Sequence, residues 1–139
     1  MSIHQEVSIA ASPAAIYKVL TTSADFAKMT GGRAASIATE AGGAFTMFDG
    51  HITGRHVELI PGKRVVQAWR SKDWPEGHYS IARFELTPEG KGTKLVFDQT
   101  GHPADAKAHL ESGWANMYWE PMKAMLAGVR GGELSPRRR

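Results

Sequence analysis

Cysteine is absent from the 139 residues. That excludes disulfides, thiolate metal sites and a cysteine nucleophile, and it suits a reducing compartment, so the chain is expected in the cytoplasm. No apolar run approaches the ~18 residues that mark a membrane span. The N-terminal MSIHQEVSIAAS lacks the basic flank and apolar stretch of a secretory leader. Metal-ligand spacings are missing too: His51 and His56 stand five apart, His102 and His109 seven apart, and no H-E-x-x-H occurs. There is no G-x-S-x-G elbow, and the glycines at 42–43, 50, 54 and 90–92 separate strands rather than open a helix. Neither a serine hydrolase nor a phosphate cradle is expected. The carboxylates Glu58, Glu85, Asp98, Glu111 and Glu120 are dispersed. No catalytic residue, metal or cofactor is therefore assigned. Net charge is +3, but Arg137, Arg138 and Arg139 supply it; without them basic and acidic residues balance. A nucleic-acid binder should carry its charge on a folded face, so none is expected here.

What is present is a chain of short alternating segments framed by helical patterns. Ile3, Val7 and Ile9 share one face of a strand over 3–10. Ser12-Pro13 reads as a helix cap followed by proline at the first helical position. Ser23 is expected to cap a second short helix with Phe26 and Met29, ended by Gly31-Gly32. A weak strand over 33–39 is followed by strands over 44–48, 51–60, 63–71, 78–87 and 93–100. Asp49-Gly50 predicts a two-residue hairpin turn, and Pro61-Gly62 the centre of a type II turn. In 51–60, Ile52 is out of phase with Val57 and Leu59, which predicts a bulge or bend at Gly54. Leu110, Trp114, Met117, Pro121 and Met125 predict one long helix over 103–127, kinked at Pro121. Gly113 beside Trp114 suggests close approach of this helix to a sheet.

This order predicts an α+β domain over 1–128 and a flexible basic tail over 129–139. The domain would be a curved antiparallel sheet of six or seven strands, two short helices, and a long C-terminal helix covering the concave face. Trp69, Trp74, Trp114, Trp119, Tyr79 and Tyr118 lie in the second half, and Met117, Met122 and Met125 on the last helix. These residues either fill the core or line a hollow between bent sheet and kinked helix. Trp74, before a proline in a loop, is either an exposed anchor or folded over the cavity mouth. Buried titratable groups converging in that hollow would indicate a cyclase- or dehydratase-like enzyme; Arg70, His78, Glu85 and Tyr118 are the nearest candidates.

Several ordered blocks carry a family resemblance: GAFTMFDGHITGR (43–55), LIPGKRVVQAWR (59–70), WPEGHY (74–79), TKLVFDQTGHP (93–103) and GWANMYW (113–119). The chain resembles the C-terminal domain of the activator of the heat-shock protein 90 ATPase. It is equally similar to bacterial single-domain relatives in the START-like, or SRPBCC, superfamily. The resemblance implies the helix-grip fold and an apolar ligand held between sheet and helix. By matching position, the candidate liners are Phe45, Met47, Trp69, Phe84, Phe97, Trp114, Met117, Tyr118 and Met122. It implies as partners a hydrophobic small molecule and, as the alternative, a heat-shock protein 90 homologue. A homodimer is a further expectation.

Overall fold

Apolar and polar residues alternate along β1 (Ser2–Ile9), and Ile3, Val7 and Ile9 pack against the core in the computed structural model, which describes residues 2–131. Ser12 caps α1 (Pro13–Thr21); its hydroxyl accepts the Ala15 amide at 3.2 Å, with Pro13 in the first turn. The second helix, α2 (Ser23–Met29), stops at Gly31 and Gly32, both at positive φ. Six more strands follow: β2 (Ser36–Ile37), β3 (Ala44–Met47), β4 (Ile52–Ile60), β5 (Arg64–Ser71), β6 (Ser80–Glu89) and β7 (Gly92–Thr100). All pairings are antiparallel and the sheet order is β1-β7-β6-β5-β4-β3-β2. After a 3-10 turn (Ala104–Ala106), the C-terminal helix runs through α3 (Lys107–Gly113), a π-helical stretch (Trp114–Trp119) and α4 (Glu120–Gly131). This is the expected helix-grip α+β architecture. Residues 129–131, assigned to the tail, continue α4, and Arg137–Arg139 lie outside the described residues.

Three local expectations need correction. The phase change in β4 is real, but its bulge falls at Val57, between His56 and Glu58, while Gly54 pairs regularly with Phe45 and Trp69. The extra residue lets Ile52 and Leu59, of opposite parity, both turn inward and leaves Val57 exposed. Gly54 has another job: a Cβ there would overlap the Ala68 carbonyl oxygen and come within 2.6 Å of the Phe45 ring. The β3–β4 connection is not a two-residue turn. Met47 pairs with Ile52, so Phe48–His51 form the loop, and Phe48, Asp49 and Gly50 all have positive φ. The Asp49 carboxylate holds this conformation by accepting the Ala34 amide at 2.8 Å and Arg33 Nε at 3.2 Å.

The third correction concerns the last helix. An α-helical stripe through Leu110, Trp114, Met117, Pro121 and Met125 is expected, yet the buried positions are Leu110, Trp114, Tyr118, Trp119, Met122 and Leu126. The π-helical stretch explains the slip. It adds a residue to one turn, so the inward face moves on by one position. Residues five apart lie roughly 140° apart on an α-helix, but here the Trp114 and Trp119 rings stack at 5.9 Å. The wide turn sits just before Pro121, which has no N–H to give and whose ring would crowd the carbonyl four residues back. Met117 is turned outward and is 40% exposed.

A buried polar chain ties this helix to the sheet. Trp114 Nε1 donates to Gln99 Oε1 at 2.8 Å, Gln99 Nε2 to Ser80 Oγ at 3.0 Å, and Ser80 Oγ to the Trp69 carbonyl at 2.8 Å. Gln99→Leu would orphan the indole N–H. We expect it to lower unfolding free energy by about 1–3 kcal/mol in urea titrations; an unchanged midpoint would show that the chain bears no load.

His56 is buried, and its Nε2–H donates to the Ala38 carbonyl at 2.9 Å while Nδ1 has no partner among the described residues. Burial therefore pulls its pKa below the usual value, against a smaller upward pull from the Ala38 bond and Glu40. A depressed histidine pKa means that the unfolded chain binds the proton first, so stability is lost as pH falls below the unfolded value of 6.5. Exposed His4 works the opposite way, raised by bonds to Asp98 and Glu6. In a His4→Gln background the urea midpoint should drop between pH 7.5 and 5. Adding His56→Gln should flatten that drop; a slope that survives assigns the effect to another group.

Candidate functional site

Two ends of structure meet where α3 crosses the sheet. The Phe48–His51 loop and the segment after β5 lie at the same end, because Ile52 pairs with Ser71 and the Lys72 amide donates to the His51 carbonyl at 2.9 Å. The start of the C-terminal helix approaches from the other side. Between them is a cavity of about 530 Å³, within the range of small-molecule sites. Its apolar wall comes from Phe48, Ile52, Trp69, Leu110, Trp114 and Tyr118, with Trp74 and Met117 also in the lining. The rings form a continuous surface: Trp69 and Trp114 centroids are 5.2 Å apart, and Trp114 and Tyr118 4.4 Å. Gly113 also lines the space, and a Cβ there would meet nothing within 4 Å. It therefore does not serve close approach to the sheet.

A polar rim completes the lining: Arg33, His51, Ser71, Asp73, Asp105 and His109. His51 Nε2 lies 3.0 Å from Ser71 Oγ and 3.1 Å from Asp73 Oδ2. Serine and carboxylate meet the same ring nitrogen, so this is not a relay in which the acid orients the far nitrogen of the base. Arg33 is held by Asp49 and lies over the Phe48 ring at 5.1 Å. Burial pushes the Tyr118 phenol well above its usual range, so it stays protonated; the Trp69 indole donates to its oxygen at 3.5 Å. Among the described residues, no group of three or more His, Asp or Glu is placed to hold a metal.

Of the nine expected liners, Trp69, Trp114, Met117 and Tyr118 do line the cavity. Phe45, Met47, Phe84, Phe97 and Met122 do not line this cavity: all five are buried in the core, where the Phe84 and Phe97 rings meet at a tilt with centroids 5.0 Å apart. The hollow occupies one end of the sheet–helix interface, so inward-facing residues at the other end pack against each other. Of the four residues considered for chemistry, only Tyr118 reaches the cavity. Glu85 pairs with Arg64 at 2.6 Å on the outer face. Arg70 donates to the Trp74 and Pro75 carbonyls, and His78 Nε2 to the Gly101 carbonyl at 2.7 Å. Both brace the loop that carries Trp74. That indole is folded back beside Trp69, 5.6 Å away, rather than projecting as an anchor. The rim residues escaped sequence reading because they come from separate loops, the end of β5 and the start of the C-terminal helix, which are distant in the chain. The one usable signal was the pairing of β4 with β5, which sets His51 beside Ser71 and Asp73.

Comparison with known proteins gives a consistent family. The model described as Activator of Hsp90 ATPase homolog 1-like protein matches residues 10–127. Activator of 90 kDa heat shock protein ATPase homolog 1 is 34% identical in mouse and 33% in human, over 112 residues that make up 81% of this chain. The match spans 33% of the length of each of those relatives. Among solved structures, an HSP90 activator from Plasmodium falciparum superposes with TM-score 0.87 at 22% identity, covering 91% of this chain and 96% of that one. The Aha1 dimer from Colwellia psychrerythraea does so with TM-score 0.77 at 27% identity, covering 91% and 96%. With the fold, the ordered motif blocks and the matched length in agreement, the chain belongs to the family of Activator of Hsp90 ATPase homolog 1-like proteins.

Proposed function

We propose that this chain works by binding rather than by catalysis, holding one apolar small molecule between sheet and helix. The observation that carries this is the cavity of about 530 Å³ with its aromatic wall and one polar rim. Of the four residues considered for chemistry, Arg70, His78 and Glu85 lie outside the cavity, and burial keeps the Tyr118 phenol protonated. Protein purified from its native host should retain a small molecule in native mass spectrometry.

A direct test uses the uncharged fluorescent probe N-phenyl-1-naphthylamine. Gly113 has helical φ of −63° and open space beyond its Cα, so Gly113→Phe fills the cavity without backbone strain. Replacing a helical glycine also favours the folded state by up to ~1 kcal/mol. The wild type should bind the probe, and Gly113→Phe should weaken binding at least about tenfold with an unchanged or raised melting temperature. Equal binding by both proteins sinks the reading.

A second reading is favoured by the relatives, which are named for activating a heat-shock protein 90 ATPase. We propose that the chain also contacts a heat-shock protein 90 homologue, as a co-chaperone-type protein. Affinity capture from host lysate should enrich that chaperone over a control domain, and no enrichment removes this reading. The two tests are independent, because the probe needs only the cavity.

A further inference from the structure

A binding role for the cavity leaves the class of ligand open, and the lining narrows that class; any selectivity rests on the cavity having that role. Five of the eight apolar lining residues other than glycine and alanine are aromatic: Phe48, Trp69, Trp74, Trp114 and Tyr118. Trp69 stands 5.2 Å from Trp114 and 5.6 Å from Trp74, and Tyr118 stands 4.4 Å from Trp114. The face of an aromatic ring is negative and attracts a cation, indole most strongly. The charges at the rim point the same way. Among the described residues, Arg33 is the one lysine or arginine in the lining, and its charge is met by Asp49 at 3.2 Å, with a further bond to the Phe48 carbonyl. Asp73 is met by His51 and the Ser71 hydroxyl, and among the described residues neither Asp73 nor Asp105 has a lysine or arginine partner. Lys72 and Lys107 are near these carboxylates in sequence but do not line the cavity. His51 and His109 complete the rim.

We propose that the cavity selects amphiphilic amines: an aromatic or apolar body against Trp69, Trp74, Trp114 and Tyr118, with a protonated nitrogen at the rim that carries Asp73 and Asp105. An anionic head of the same size would face two carboxylates that lack a lysine or arginine partner among the described residues, and an arginine already engaged. A neutral head could hydrogen-bond a carboxylate but would gain neither the charge attraction to it nor the attraction of a cation to an aromatic ring.

Three probes with one ring system separate these cases: 2-naphthylmethylammonium, 2-naphthalenemethanol and 2-naphthoate. Each is titrated into the full chain at low ionic strength and pH 8, where imidazole side chains are ordinarily neutral, with amide chemical shifts as readout. The ammonium should bind about tenfold more tightly than the carboxylate, with the alcohol between them. In Asp73→Asn/Asp105→Asn the ammonium-to-carboxylate ratio should collapse to about twofold or less, with thermal unfolding checked separately. A ratio near one in the wild type, a preference for the carboxylate, or a preference that survives the double substitution overturns the proposal. If the carboxylate or alcohol binds as well as the ammonium, amine selectivity fails while the cavity reading stands. If none of the three probes binds, and N-phenyl-1-naphthylamine does not either, both fall.

Discussion

The indole N–H of Trp114 has nowhere to go but Gln99, and Gln99 in turn has nowhere to go but Ser80. All three side chains are buried, and the line ends on the Trp69 carbonyl of β5. In a medium of low dielectric an orphaned donor is costly and a satisfied one is directional. The C-terminal helix can therefore neither roll nor slide without breaking bonds that water cannot replace. Trp119 adds a second tether, donating to Gln5 Oε1 of β1 at 2.7 Å, while Gln5 donates to the Glu111 carbonyl. Because Trp114 is at once a link in the line and part of the cavity wall, the height at which it is held sets the space above it.

The π-helical stretch is the other half of this arrangement. An unbroken α-helix would turn Trp119 away from Trp114 and bring Met117 inward. Widening one turn before Pro121 puts Trp114, Tyr118 and Trp119 into the core together and leaves Met117 at the cavity edge. Phe97, Phe84 and the two indoles then close the interior, with Phe97 only 4.2 Å from Trp114. The cavity lies toward the other end, where Gly113 offers no side chain.

The outer face of the sheet has a different character. Glu58, Arg64, Glu85, Arg83, Asp98 and His4 form an alternating line of charges from β4 to β1. Each exposed pair contributes little by itself, but together they oppose any slip of one strand past the next. The sheet thus has a self-neutralised outside and an aromatic inside. The family is shared with relatives of which this chain matches a third of the length, and a fold held in common does not by itself fix what each member does.

How much of this was legible in advance divides along the range of the interactions. Strand alternation, the Ser12-Pro13 cap, the Gly31-Gly32 stop and the Pro61-Gly62 turn are local and were readable, because each depends on neighbours within a few residues. So were the order of elements and the grip of a terminal helix on a curved sheet. The bulge at Val57 and the four-residue loop at Phe48–His51 were not, since pairing with β5 and the Asp49 bonds to Ala34 and Arg33 select them over the local alternatives. Nor was the slip of the helix face at Trp114–Trp119, because a π-turn is chosen by how the indoles fit the sheet. The sequence alone determined which side chains point inward along most strands. Only the tertiary structure decided that Phe45, Met47, Phe84, Phe97 and Met122 are buried away from the cavity while His51, Ser71, Asp73, Asp105 and His109 share one rim. A void is the place where distant elements fail to meet, and no local pattern encodes that distance.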